Sequence, residues 1–475
     1  MPPTHDHPLL LPEILVRISS FVAPRDAISC AQVCTDWGDV FTSIVWQTID
    51  FKAQQRFVSL TPAAIRKHGH RILTVKNIEH DLHVEALHHP SICKIRHLAV
   101  TMPSTARFQA YCHDLLRRNA TSIVDLDIGA LPPNGGGTVV PFPLDAFSMP
   151  IGGPATSKIT FLKIQNLPMT RDGFSSLLRL CPALVTLNIR GTPTYVSNCL
   201  EPFQHAGLKE LIAPLEQIFR PDYSAAYTQS LLAHFPQLVT LRTWSSSASS
   251  GLLFDHMKEQ VARHCPLLTR LCTEAPAGIT TTLLTQTFHS LTCITVSESN
   301  ISETVVMAIL SHQATLDRLY IYLPYGGYYE QDEVPVLQGN IPIPGWAIQL
   351  IPQTCHQLTT LQFPLFEMDM DGISKSKWSC KNLESLFIRI RGLDTKESID
   401  EALQLWTEGV AKRESMKKLD ATSGGLDFAK MCLQDPGVLG QALQDPLEER
   451  VARHLLQFEK LHTVWLGHKV TTINL

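Results

Sequence analysis

A short pattern, Leu-x-x-Leu-x-apolar, returns along most of the chain and restricts its fold more than any other feature. The clearest copies are Leu184-Val185-Thr186-Leu187-Asn188-Ile189, Leu291-Thr292-Cys293-Ile294-Thr295-Val296, Leu316-Asp317-Arg318-Leu319-Tyr320-Ile321 and Leu383-Glu384-Ser385-Leu386-Phe387-Ile388. Looser copies begin at Ile95, Ile123, Ile159, Leu208, Leu238, Leu268, Leu358 and Leu461. From Ile159 to Leu316 successive starts lie 25, 24, 30, 30, 23 and 25 residues apart, and intervals of 42 and 25 lead on to Leu358 and Leu383. Cys181-Pro182, Phe235-Pro236 and Cys265-Pro266 precede three of the copies and punctuate a helix end. Helical spacing runs up to that point, as in Phe174, Leu177, Leu178 and Cys181, or Met257, Val261 and His264. A unit of helix, turn and short strand cannot bury its own apolar face, so the copies are expected to stack with parallel strands on one continuous core. The alternative reading is a non-repetitive α/β domain.

This arrangement resembles leucine-rich repeats, whose period is about 20–29 residues. The resemblance covers residues 71–475 and implies an irregular solenoid with parallel strands on its concave face. The Asn or Cys that follows the strand in the strict consensus is mostly missing. Gly, Pro and Ser runs mark insertions near 132–155, 245–251 and 324–345. The last carries Tyr325, Tyr328, Tyr329, Glu330, Asp332 and Glu333, and reads as a solvent loop or as a clasp for a client.

The first fifty residues do not share this pattern. Apolar groups at Ile14, Leu15, Ile18, Phe21 and Val22 mark one helical face, with Pro12 in the first turn. Pro24-Arg25-Asp26 starts a second helix, and a third holds Trp37 and Phe41. Ala23 replaces the usual polar cap, and Gly38 falls inside the third helix, each at a cost of about 1 kcal/mol. So small a unit needs a neighbour or partner to cover its apolar surface.

The ordered set Leu11-Pro12-Glu13-Ile14-Leu15, Phe21, Pro24-Arg25-Asp26, Val33-Cys34, Trp37 and Val45-Trp46 resembles an F-box. The domains expected are thus an F-box at 8–50, a linker and repeat cap at 51–70, and the repeat domain at 71–475. The alternative is a helical cap that seals the repeats. The resemblance implies docking on the Skp-type adaptor of a cullin-RING ubiquitin ligase through Leu11, Pro12, Ile14, Leu15, Ile18, Val33, Cys34 and Trp37. Burial within the helical unit is the competing account of each, and is preferred for Phe21 and Ile28.

Composition narrows the class. Lys plus Arg number 40 against 44 Asp plus Glu, which leaves no broad basic field for nucleic acid. Apolar runs stop well short of the ~18–20 residues of a membrane helix. Twelve cysteines in 475 residues are too sparse for a disulfide scaffold, and with no secretory signal in the first residues the expected setting is cytoplasmic or nuclear. Gly135-Gly136-Gly137-Thr138 lacks the Lys of a phosphate loop, and neither His-Glu-x-x-His nor Gly-x-Ser-x-Gly occurs. His80, His83, His88, His89 and Cys93 match no paired-ligand spacing. No enzyme activity, cofactor or metal is expected.

Alternation along each repeat strand sends the repeated Leu and the final apolar group inward. Asn188 and Arg190, Arg242 and Trp244, Arg318, Tyr320 and Tyr322, Phe387 and Arg389, and Trp465 then lie on the opposite face. Aromatics and Arg are enriched at binding hot spots, so all of these but Asn188 are the expected client-binding residues. A slip of one residue would turn the aromatics into the core instead. The reading that unites both parts is the substrate receptor of a Skp, cullin and F-box ligase, joined through the adaptor to cullin and RING subunits and binding an unknown protein client. The alternative is a non-degradative scaffold.

Overall fold

The computed structural model describes residues 12–52, 60–102, 105–130, 142–147, 157–167, 169, 171–190, 204–218, 231–245, 261–287, 291–322, 345–375, 378–393, 395–423, 445–467 and 469–472. Most of the expected insertions, including residues 132–141, 148–155, 246–251 and 324–344, lie outside that set. The chain divides into two compact units, Met1–Leu238 and Val239–Leu475.

The first unit opens with three helices, α1 (Pro12–Ser19), α2 (Pro24–Cys30) and α3 (Thr35–Gln47). Leu15, Ala27 and Phe41 form their core, and Ile18, Val22, Trp37, Val40 and Ile44 pack against it. Ala23 gives α2 no side-chain cap. Gly38 has a packing reason: a Cβ there would come within 3.2 Å of the Ala31 carbonyl, so the missing side chain lets α3 pass close to the end of α2.

From α3 the chain runs directly into β1 (Thr48–Asp50), followed by β2 (Thr74–Ile78), β3 (His97–Met102), β4 (Asp125–Ala130), β5 (Phe161–Gln165), β6 (Thr186–Arg190) and β7 (Glu210–Pro214). Each pairs in parallel with the next. Helices Ala106–Asn119 and Arg171–Leu180 connect strands here. A buried Asn119 ties the end of its helix back to the segment that leads into β3: its Oδ1 accepts from Ile95 N (2.9 Å), while its Nδ2 donates to Leu115 O within the helix (2.9 Å).

The second unit repeats the scheme with β8 (Thr240–Trp244), β9 (Arg270–Thr273), β10 (Cys293–Ser297), β11 (Arg318–Tyr322), β12 (Thr360–Met368), β13 (Ser385–Ile390) and β14 (Thr463–Leu466), all parallel in sequence order. β15 (Lys469–Thr472) folds back antiparallel on β14. Crossovers include helices Ala277–Thr287, Glu303–Leu310, Gly345–Thr354 and Leu447–Leu455. The architecture is therefore mixed α/β, with helices first and many parallel strands after, joined by helical crossovers as parallel pairing requires.

Local bonding explains why the sequence pattern marks the strands. Leu184, Leu291, Leu316 and Leu383 are fully buried, and a strand opens two residues after each. The preceding turn is fastened by Leu184 N to Cys181 O (3.1 Å), Leu268 N to Cys265 O (3.2 Å) and Leu383 N to Cys380 O (3.2 Å). One carbonyl then accepts from two successive amides of the next unit. Thr292 O takes Asp317 N (2.8 Å) and Arg318 N (2.9 Å), and Thr359 O takes Glu384 N (2.8 Å) and Ser385 N (3.0 Å). These bonds satisfy the backbone where strands begin.

The turn cysteines fill core volume. Burial pushes the Cys181 and Cys355 thiols up to about 11, and those of Cys265 and Cys380 to about 12, so they are not nucleophiles at neutral pH. Helix Lys396–Ser423 is not marked by the repeat pattern; Ile399, Leu403, Trp406 and Val410 form its buried stripe. Among the described residues no helix is long and apolar enough to cross a membrane.

Candidate partner-binding surfaces

Two surfaces carry the residues singled out above. On the helical one, Leu11 lies outside the described residues, and Pro12 opens α1. Leu15 corrects the expected contact set. At 1% exposure it is the centre of the helical core and is unavailable to a partner. Ile14, Ile18 and Trp37 are half-buried, Trp37 stacking on Phe41 at 5.2 Å. Val33 and Cys34 are exposed, Val33 to 65%.

Phe21 is a second correction. Expected inside, it is 83% exposed, because α1 stops at Ser19 and the 100° progression that aligned it with Ile18 ends there. Ile28 is half-buried rather than enclosed. Val16, 59% exposed, lies off the periodic face and was not among the expected contacts. Val16, Phe21 and Val33 are thus three large apolar side chains that this small unit leaves exposed.

The other surface is the face of β8 to β14 turned away from the core. Leu241, Leu319, Leu386 and Val464 are buried, so the alternate residues point outward and no one-residue slip occurs. Register aligns these residues in cross-strand rows. One row brings Arg270, Cys293 and Arg318 side by side on β9, β10 and β11. The next row carries Arg242 beside Cys272, then Thr295, Tyr320, Gln362, Phe387 and Trp465. Phe387 and Trp465 stack face to face, 4.3 Å apart and 6° from parallel. The Trp465 indole N–H is buried and has no acceptor.

At the C-terminal end of the strands the Tyr322 hydroxyl donates to Glu274 Oε1 (2.7 Å) and sits 3.8 Å from Cys272 Sγ. Burial, the nearby thiol and that carboxylate all hold the phenol above its ordinary pKa. Cys272 and Cys293 are also held high by burial, against the pull of Arg242 on the first and of Arg270 and Arg318 on the second. Glu298, 4% exposed, has neither carboxylate oxygen hydrogen-bonded. Burial pushes it up to about 7, opposed by Arg389. Trp244 and Arg389 are half-buried on the same unit.

Arg190 does not join this group. It ends β6 in the first unit, opposite Gln165, so the expected client-binding set is divided between the two units. The outward face there is largely self-neutralised: His97 Nδ1 lies 2.6 Å from Asp125 Oδ2, and Lys163 Nζ 2.7 Å from Asp127 Oδ2. Asn188 of β6, opposite Lys163, is buried. Along the start of β10 to β14 the second unit also has an open groove of about 480 Å³, lined by Thr292, Asp317, Thr359, Glu384 and Lys460 among others.

The histidine-rich stretch is not assembled into one site. His83 stacks on Phe51 at 4.1 Å, His88 faces Asp114 at 3.2 Å, and His89 Nδ1 lies 2.8 Å from Ser91 Oγ. Among the described residues no three His, Cys, Asp or Glu side chains are placed to hold a metal ion.

Residues 12–52, which comprise α1 to α3 and β1, match the family model described as F-box-like. No curated protein matches the chain.

Proposed function

We propose that this chain is the client-recognition subunit of a Skp, cullin and F-box ubiquitin ligase. The observation that carries the reading is the F-box-like match on helices that leave Val16, Phe21 and Val33 exposed. F-box domains generally bind Skp-type adaptors, and an apolar helical surface suits such a partner. The strands, each opening two residues after a buried Leu and pairing in order, support a leucine-rich-repeat solenoid for the remainder. Its outward Arg and aromatic side chains are the client site.

On this reading the chain does no chemistry of its own. It holds a client lysine near the conjugating enzyme of the complex and raises its effective concentration there. Free thiols, half of them buried among the described residues, suit work in the cytoplasm or nucleus.

Co-purification of the full chain with adaptor and cullin tests the assignment, beside Val16→Asp/Val33→Asp, which spares the Leu15 core. Wild type is expected to retain both partners and the folded variant to lose them. Recovery of neither by the wild type overturns the F-box reading. Adaptor without cullin replaces it with a non-degradative scaffold.

A further inference from the structure

We propose that the sheet of the second unit is left open at its last strand, and that an extended peptide segment carrying a basic side chain adds to it there as a further strand. β15 pairs with β14 on one side, and among the described residues no strand pairs with its other edge. In an antiparallel ladder alternate residues turn their N–H and C=O groups away from the partner, so that edge presents a row of backbone donors and acceptors. Strand addition draws its affinity from such a row and its specificity from pockets for alternate side chains. The edge is separate from the β8 to β14 face, so the inference does not rest on the ligase reading.

A pocket for one such side chain is already built. A groove of about 400 Å³ lies between β15 and helix Lys396–Ser423, lined by Asp400, Leu403, Gln404, Thr407, Glu408 and Thr471. The five helical residues follow the i, i+3, i+4, i+7, i+8 spacing of a single stripe, about 12 Å long. That length matches the four residues of β15. Thr471 pairs with Val464, whose side chain is buried, so Thr471 stands on the side of the sheet that the helix covers. A strand added to β15 keeps this alternation and sends every second side chain into the groove.

The lining selects what enters. Leu403 is buried and gives the groove an apolar wall. Residues 396–408 of the helix hold four acids and one base, which sets the sign of the charge. Glu408 is exposed, accepts from Gln404 Nε2 (2.8 Å) and makes no ion pair among the described residues, Lys412 one turn further on included. The one base of β15, Lys469, pairs in register with Leu466, at the opposite end of the strand from Thr472. A Lys or Arg of the added segment satisfies both parts of the site, its methylene stem on Leu403 and its charged head at Glu408. A Glu there would meet like charge.

The test is fluorescence anisotropy of the full chain with labelled nine-residue peptides drawn from Thr, Val and Ser, with Lys, Gln or Glu fixed at the fifth position. The Lys pool should bind at least fivefold tighter than the Gln pool, and the Glu pool weakest. Glu408→Gln should remove the difference between the Lys and Gln pools. Glu408→Lys should make the Glu pool the tightest, a reversal that loss of folding cannot produce. N-methylation of the peptide amides at odd or at even positions separates backbone pairing from charge alone: one set should abolish binding of the Lys pool and the other leave it within threefold. Absence of binding to every pool, equal binding of the Lys and Gln pools, an unchanged preference in Glu408→Lys, or tolerance of both methylated sets overturns the inference. So does a dimer in sedimentation velocity that the Lys pool fails to dissociate, which would place a second copy of this chain on the edge.

Discussion

Glu298 and His454 show how much a single buried ionisable group contributes in the second unit. His454 lies in the edge-on company of Trp378 (4.7 Å) and Phe458 (5.4 Å), and burial lowers it to about 4. A base depressed in the folded state favours the neutral form there. Its contribution is present above the unfolded pKa near 6.5 and is lost as pH falls toward 4, about 3 kcal/mol in all. Glu298 has the opposite sense. Raised to about 7, its folded state favours the protonated acid, so stability present below the unfolded value is lost as pH rises through 7. Thermal unfolding of Glu298→Gln should therefore show a midpoint raised by several degrees at pH 8 and nearly unchanged at pH 5. An equal shift at both pH values would mean that Glu298 acts through packing and not through its charge. Neither group was apparent in the sequence, because burial depends on which turns the fold brings together. Phe21 was misplaced for a related reason. Its spacing fits the α1 face, but the Ser19 and Ser20 hydroxyls bond back to Val16 and Arg17 carbonyls (2.6 and 2.7 Å) as the helix ends.

At the scale of elements, the Leu-x-x-Leu-x-apolar pattern located β3 to β14 because a buried aliphatic side chain stands two residues before each strand, fastened by a tight turn before β6, β8, β9, β12, β13 and β14. β1 and β2 escaped it. The buried residue two before each is Trp46 for β1, an aromatic in place of the Leu, and Ile72 for β2, where Asn77 stands in place of the final apolar group. The outward face was legible from alternation alone, whereas its cross-strand rows were not, since register depends on the lengths of loops that the pattern leaves free. β15 was missed because an antiparallel return needs only a tight turn. Gly467 supplies it at φ +57°, with the Ile399 Cδ1 atom 3.1 Å from where a Cβ would stand. Gly467→Ala combines a left-handed backbone with a tight contact, and is expected to cost about 1–2 kcal/mol. Denaturant unfolding measures that cost, and faster amide exchange at Val470 and Thr471 would assign it to the β14–β15 hairpin. A variant as stable as wild type would show that the turn has room to adjust.

For the molecule as a whole, strands that pair only with their sequence neighbours make stability a sum of local units and their interfaces. Damage in such an array stays near its source, whereas a globular core shared by every element would spread it. Leu319, fully buried at the centre of β11, offers a test. Leu319→Ala removes a core side chain at a cost of about 2–5 kcal/mol. Hydrogen exchange should quicken strongly in β10, β11 and β12, which share its interfaces, while amides of β3, β4 and β5 in the first unit change less than twofold. Uniform acceleration along the chain would instead make the two units one cooperative body. The distinction bears on function. If opening is local, the face that carries Arg318 and Tyr320 can loosen around a client while the helices at the other end of the chain keep the fold that an adaptor would grip.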